Sequence, residues 1–286
     1  MDVDNRPLFT GNLPATLEYQ ESLYQEQIVR RKKLIEHWSA QGRELKIFPD
    51  HGEFYTIWDF VTPTFSCPFP VRRIGTLGDG GKYVCGFHRV TQGRGPERQC
   101  VVYSFGVSDE SSFEAEILAS TNNCQVYGYD FSVKHWGPQL HNNPAYDGRV
   151  HFEPYKLGGK DDSFSIPEVH TLGGLMQMNG HTFIDILKID IEGSEFDLLN
   201  TLLDAHFASG NNEPLPFGQL QLEIHLWHNN LNFNEFLTFW ERLEKAGLRP
   251  FWTEPNLIWV NALGQKPGLS EWSFINTRAH HALTVQ

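Results

Sequence analysis

Short, nearly unbroken apolar runs alternate along this chain with longer stretches whose apolar positions recur three and four apart. The first rhythm marks strands buried on both faces, the second helices that cover them. The run at Phe183–Ile189 shows the change most sharply. Ile184, Ile186, Leu187, Ile189 and Ile191 are interrupted by Lys188 and halted by Asp190; Gly193 breaks the run, and Phe196, Leu198 and Leu199 resume at helical spacing. The same pattern predicts strands at Cys100–Ser104, Gln125–Tyr129, Val150–Tyr155 and Gln219–Ile224, with two late ones around Arg249–Thr253 and Trp272–Asn276. Gly80-Gly81 separates two short strand-like pieces within 72–87 and predicts a hairpin.

Helix starts carry their own signals. Ser111 three before Glu114 reads as a capping box opening a helix to about Ser120, and Ser194 three before Asp197 caps the next. Asn232 followed by Glu235 opens a third helix, with Gly247 just past its end. From Leu17 to Gln41, Leu17, Tyr24, Ile28, Ile35 and Trp38 fall on one stripe, with Arg30-Arg31-Lys32-Lys33 on or beside the other face. That basic run reads first as a solvated face, second as a contact for an acidic lipid or substrate. The pattern predicts an N-terminal arm and amphipathic helix over 1–64 and one α/β domain over 65–286, a mostly parallel sheet with helices on both faces.

Composition narrows the function. Hydrophobic residues make up 40% of 286, enough for a packed core, and a net charge of −12 argues against a nucleic-acid-gripping protein. No apolar run reaches the roughly 18 residues of a membrane span, and the first 30 residues lack a signal-peptide core. The expectation is a cytoplasmic chain, or a membrane-anchored or secretory-pathway one if a segment precedes Met1. Cys67, Cys85, Cys100 and Cys124 show no C-x-x-C spacing and are expected as free thiols, two of them buried in strands.

In open α/β sheets ligands bind beyond the carboxyl ends of the strands, and those ends are polar here. Gly106 ends the first strand of the domain and Asp130 the second, 24 residues on. A glycine there admits a ligand to the backbone, and the acid can accept both hydroxyls of a ribose. A dinucleotide needs a glycine-rich diphosphate cradle, but the loop has one glycine followed by Asp109 and Glu110, which would repel it. S-adenosylmethionine, with a sulfonium and an ammonium, tolerates such a loop.

The segments "SFGVSDESSFE", "VYGYD", "DILKIDIEGSEFDLL", "QLQLEIHLW" and "EWSFIN" resemble class I S-adenosylmethionine-dependent methyltransferases, most closely the FkbM-type and methyltransferase-like group, over roughly residues 65–278. The resemblance implies a Rossmann-like seven-stranded sheet whose last strand is antiparallel, with the cofactor across the ends of its first four strands. On it, Phe105, Gly106 and Ser108 line the methionine and ribose, Asp130 holds the ribose, Phe131 lies beside the adenine, and Leu157 and Gly158 border its other edge. Asp79, Gly80 and Lys82 either fold over the methionine end or form a plain hairpin turn.

Asp190 is expected beside the transferred methyl. His225, with Glu223 to orient its ring, is the candidate base for a hydroxyl acceptor, and His228 a weaker one. Asp190, Glu192, Glu223 and His225 can alternatively collect a divalent ion. Glu192 and Glu195 also read as acids favoured by a helix N-terminus, the better description of Glu195. The expected function is methyl transfer to oxygen of a small molecule or glycan. A catalytically silent binding relative and, more distantly, a nicotinamide oxidoreductase are the alternatives. Oligomeric state is left open.

Overall fold

The computed structural model describes residues 12–50, 53–92, 99–208, 210, 213–226 and 231–285. The chain opens with α1 (Leu13–Ala40), longer at its start than the apolar stripe because the Asn12 side chain accepts from the Ala15 amide and Pro14 sits in the first turn. A hairpin follows, β1 (Val71–Ile74) paired antiparallel with β2 (Lys82–Cys85), then the short α2 (Phe87–Gln92).

Strands and helices then alternate: β3 (Cys100–Phe105), α3 (Ser112–Ser120), β4 (Cys124–Tyr129), β5 (Val150–Glu153), the small pair β6 (Lys156–Leu157) and β7 (Val169–His170), α4 (Leu172–Met178), β8 (Ile184–Ile189), α5 (Glu195–Ala208), β9 (Phe217–His225), α6 (Phe233–Lys245), β10 (Leu248–Pro255), α7 (Leu257–Leu263) and β11 (Leu269–Asn276). Seven strands form one sheet in the order β10-β11-β9-β8-β3-β4-β5. Neighbours from β9 through β5 are parallel, and β11, the last strand in sequence, runs antiparallel to both β9 and β10. The expected architecture is present.

Every residue of β3, β8 and β9 is buried, which is why their sequences lack the polar alternation of a half-exposed strand. Successive side chains feed opposite cores. Tyr103, Leu187, Leu220 and Phe274 pack with Trp240 and Trp272 on one face, while Val102, Ile186 and Ile275 pack with Phe113, Ile117 and Phe69 on the other. The α6 boundaries match their signals: Asn232 and Glu235 form the capping box, and Gly247 follows the helix in a left-handed conformation.

Three expectations are corrected. The cysteines are not free thiols: Cys67 bonds Cys85, and Cys100 bonds Cys124 across the β3–β4 register. Arg31 does not belong to a solvated face. It is buried against α6, where its guanidinium donates to both oxygens of Glu244 at 2.9 and 2.6 Å. Glu114 forms no capping box with Ser111, whose hydroxyl instead accepts from the Gly137 amide, so the carboxylate is free to turn inward beneath the sheet. Glu195 stands in the first turn of α5, as expected, and is fully buried among partners described below.

Candidate active site

A cavity of about 650 Å³ opens at the carboxyl edge of the sheet, between the ends of β3, β4 and β8, with the hairpin tip at its rim. Phe105, Gly106 and Ser108 line it from β3, Asp130 and Phe131 from β4, Leu157 from β6. Asp79 and Gly80 reach it from the hairpin, Asp190 from β8 and Glu223 from β9. Three predicted residues do not line it: Lys82 and His225 are sealed beneath it, and Gly158 packs against Val169 while its amide donates to the His170 carbonyl. His228 lies outside the described residues.

Gly106 is required by its neighbours. Its φ is +75°, and a Cβ there would stand 1.5 Å from the Asp190 carbonyl oxygen. Only a glycine lets the first loop cross the end of β8 so closely. Asp130 ties the same loop down: one carboxylate oxygen accepts from the Ser108 amide at 2.8 Å, the other from the Ser132 amide and hydroxyl at 2.7 and 2.6 Å. The half-exposed Phe131 stands beside it, with the Lys156 ammonium 5.9 Å from its ring.

Below the cavity floor lies a network that explains the polar residues in otherwise apolar strands. Lys188 is buried because its ammonium donates to the Gly106 carbonyl at 2.9 Å and stands 3.8 Å from Glu114, which also accepts from the Ser104 hydroxyl. Lys82, delivered by β2, lies 3.4 Å from Asp190 and also pairs with Glu271 of β11. Burial opposes its charge, but Glu271, Asp190 and Glu223 outweigh that and hold the ammonium protonated. Partial burial opposes the charge of Asp190, yet Lys82, Lys188 and His225 pull its pKa down. Glu223 goes the other way: burial and the charges of Asp190 and Glu271 push it up to about 10, so it keeps its proton at neutral pH and shares it with Asp190.

This chemistry bears on the divalent-ion reading. Donor atoms of Asp190, Glu223 and His225 lie within 4.8 Å of one another. However, Lys82 already supplies positive charge to Asp190 and Glu271 and competes with a cation for those carboxylates. The set fits a lysine-neutralised network rather than a metal centre.

His225 ends β9, 1% exposed, and the acid that orients it is Glu195, not Glu223: Nδ1 donates to the Glu195 carboxylate at 2.9 Å. That carboxylate also accepts from the Ile191 and Gly193 amides, holding the turn into α5. Burial opposes protonation of His225, but Glu195, Asp190 and Glu192 raise its pKa above the usual 6.5. Glu192 lies 3.6 Å from the other ring nitrogen and faces the cavity. Its φ is +55°, a left-handed conformation that costs a non-glycine residue roughly 1 kcal/mol.

Sequence reasoning left Tyr129, Tyr155, Lys156 and Lys188 out of the site, though all four line the cavity. A lysine inside a strand with no exposed face was the available signal for Lys188, since a buried ammonium demands a carbonyl or carboxylate partner.

A methyltransferase-domain family profile matches residues 26–265 of the chain. Among curated proteins, the rat and human probable methyltransferase-like protein 24 are each 26% identical over 198 residues. Those alignments cover 63% of this chain and 52% and 51% of the two relatives, so the chain spans about half the length of the curated relatives it matches. Among solved structures, a Methanococcus jannaschii fibrillarin pre-rRNA processing protein aligns at 12% identity and a TM-score of 0.37, covering 81% of this chain and 87% of its own. A Geobacter metallireducens precorrin-6y C5,15-methyltransferase aligns at 11% and 0.33, covering 66% and 83%. Both are too distant to bear on function. The family profile spans most of the sequence, and on that evidence the chain belongs to the methyltransferase-domain family.

Proposed function

We propose that the chain is an S-adenosylmethionine-dependent methyltransferase acting on an oxygen of a small-molecule or glycan acceptor. The observation that carries this reading is the pairing of Gly106 and Asp130 on one cavity, at the ends of adjacent parallel strands. Asp130 would hold the ribose, Phe131 would flank the adenine, and the Gly106 loop would border the methionine. Asp109 and Glu110 on the cavity wall disfavour a nicotinamide diphosphate.

When bound, S-adenosylmethionine supplies a methyl group activated by its sulfonium. The residues around it then need only align an acceptor with the methyl–sulfur axis, exclude water and remove the acceptor's proton. Asp190 at the end of β8 borders the space where that alignment would occur.

Calorimetry with S-adenosylmethionine, S-adenosylhomocysteine and NAD tests the cofactor. Asp130→Ala should weaken nucleoside binding at least tenfold, about 1.4 kcal/mol; unchanged affinity would remove the ribose assignment. Labelled methyl transfer to a panel of methyl glycosides, phenols and amines tests the acceptor, and label on amines alone would overturn the oxygen preference. A chain that binds the cofactor but labels nothing in the panel or in cell extract would favour the silent binding relative.

We also propose a compartment. No helix among the described residues is long and apolar enough to cross a membrane. The two buried disulfides support an oxidising compartment for this chain in place of the cytoplasm. Mass spectrometry of the protein unfolded and alkylated without reductant should find all four cysteines unalkylated, and all four alkylated once a reductant is added.

A further inference from the structure

His225 has no face on the cavity, so a proton leaving an acceptor there must first reach another group. Asp190 is pinned by Lys82, and Glu195 is enclosed behind His225 by the turn into α5. Glu223 already holds a proton. Glu192 remains: it lines the cavity, its side chain is 73% exposed, and its left-handed backbone sets the carboxylate against the imidazole. Glu195, His225 and Glu192 thus form a line of carboxylate, imidazole and carboxylate running from the buried start of α5 to the cleft, with separations of 2.9 and 3.6 Å.

We propose that Glu192, not His225, is the catalytic base, and that His225 and Glu195 act as positioning residues behind it. This rests on the methyltransferase reading above and deepens it. As the new carbon–oxygen bond forms, the carbon–sulfur bond breaks and its electron pair stays on sulfur. The acceptor's proton moves to Glu192, whose exposure lets water carry it away. The groups facing Glu192 fit the task. Partial burial, Asp190 from β8, Glu195 from α5 and Asp79 from the hairpin raise its pKa from the ordinary 4.5, and His225 from β9 restrains the rise. A carboxylate so tuned is a stronger base than an ordinary glutamate.

The test uses the full chain and whichever hydroxyl compound of the panel takes label. Glu192→Gln should lower kcat at least about 30-fold while leaving S-adenosylhomocysteine affinity within about twofold, and Glu192→Asp should recover part of the loss. The wild-type rate should rise with pH through the Glu192 pKa, and this acid limb should vanish in Glu192→Gln. His225→Gln should cost less and move the limb to higher pH, because removing the imidazolium raises the Glu192 pKa.

A second measurement needs neither cofactor nor acceptor. In carbon-13 spectra of the ligand-free chain, the glutamate carboxyl signal absent from Glu192→Gln should titrate above 4.5, and higher still in His225→Gln. If His225→Gln abolished turnover while Glu192→Gln kept more than about a third of it, the assignment would be overturned. A Glu192 titration indifferent to His225→Gln would overturn it too. Failure of the wild-type chain to bind S-adenosylmethionine would count against the methyltransferase reading alone, since the carboxyl titration stands without it.

Discussion

Two buried charged networks lie on this fold, and they are built on opposite balances. Where α1 meets α6 and β10, Arg31 and Arg249 face Glu244 and Glu21, each pair bidentate, with Tyr24 and Trp240 donating to Glu244 as well. Each arginine is matched by one bidentate carboxylate, with Glu241 a further 3.9 Å from Arg31 at the rim. At the cleft floor and beneath it, Lys82, Lys188 and His225 share Glu114, Asp190, Glu195, Glu223, Glu271 and, at the exposed edge, Glu192. Acid is in surplus, so at least one proton stays on a carboxyl that would ordinarily lose it. A matched network fixes a helix in place. A mismatched one holds movable protons at some cost in stability, which is the expected mark of a working site.

The contrast can be broken first at the matched network. Arg31→Ala would leave Glu244 buried without its main partner and should cost about 3–5 kcal/mol in urea unfolding. A loss under about 1 kcal/mol would mean that α1 is not held as described. The mismatched network should respond with the opposite sign. The folded-state pKa of Glu223, about 10, lies above its unfolded value, so its stabilising contribution is complete below the unfolded pKa and is lost as pH rises toward 10. Glu223→Gln should therefore be more stable than the parent by about 1 kcal/mol or more at pH 9, with the gap shrinking toward pH 5; equal slopes of stability against pH would refute the proton's placement. The smallest effect is expected from chelation. Because Lys82 supplies the positive charge, EDTA should change nucleoside affinity and methyl transfer by less than about twofold.

The sequence made one of these networks visible only in fragments. Strand bodies such as Ile184–Ile189 were legible because burial on both faces forces an apolar run, and α6 because its cap and its glycine terminate it locally. Gly106 and Asp130 were legible as a pair because both sit where parallel strands must end. What was not legible depends on partners distant in the chain. Arg31 resembles its solvated neighbours until Glu244, 213 residues away, is packed against it. Glu114 has the spacing of a cap, and only Lys188 and Ser104 overhead draw it inward. Cys100 and Cys124 are bonded because the β3–β4 register sets them opposite each other, a relation that spacing along the chain does not encode.

The β1–β2 hairpin precedes the large sheet and pairs with none of its strands, so it looks expendable. Yet Lys82 reaches the charged network beneath the cleft from it, and Cys85 anchors it to the connector through Cys67. Anyone trimming the protein down to its seven-stranded half would discard the counter-ion of Asp190 and Glu271 along with the apparent ornament. A fragment that keeps this counter-ion and its disulfide therefore begins upstream of Cys67, well before the first strand of the large sheet.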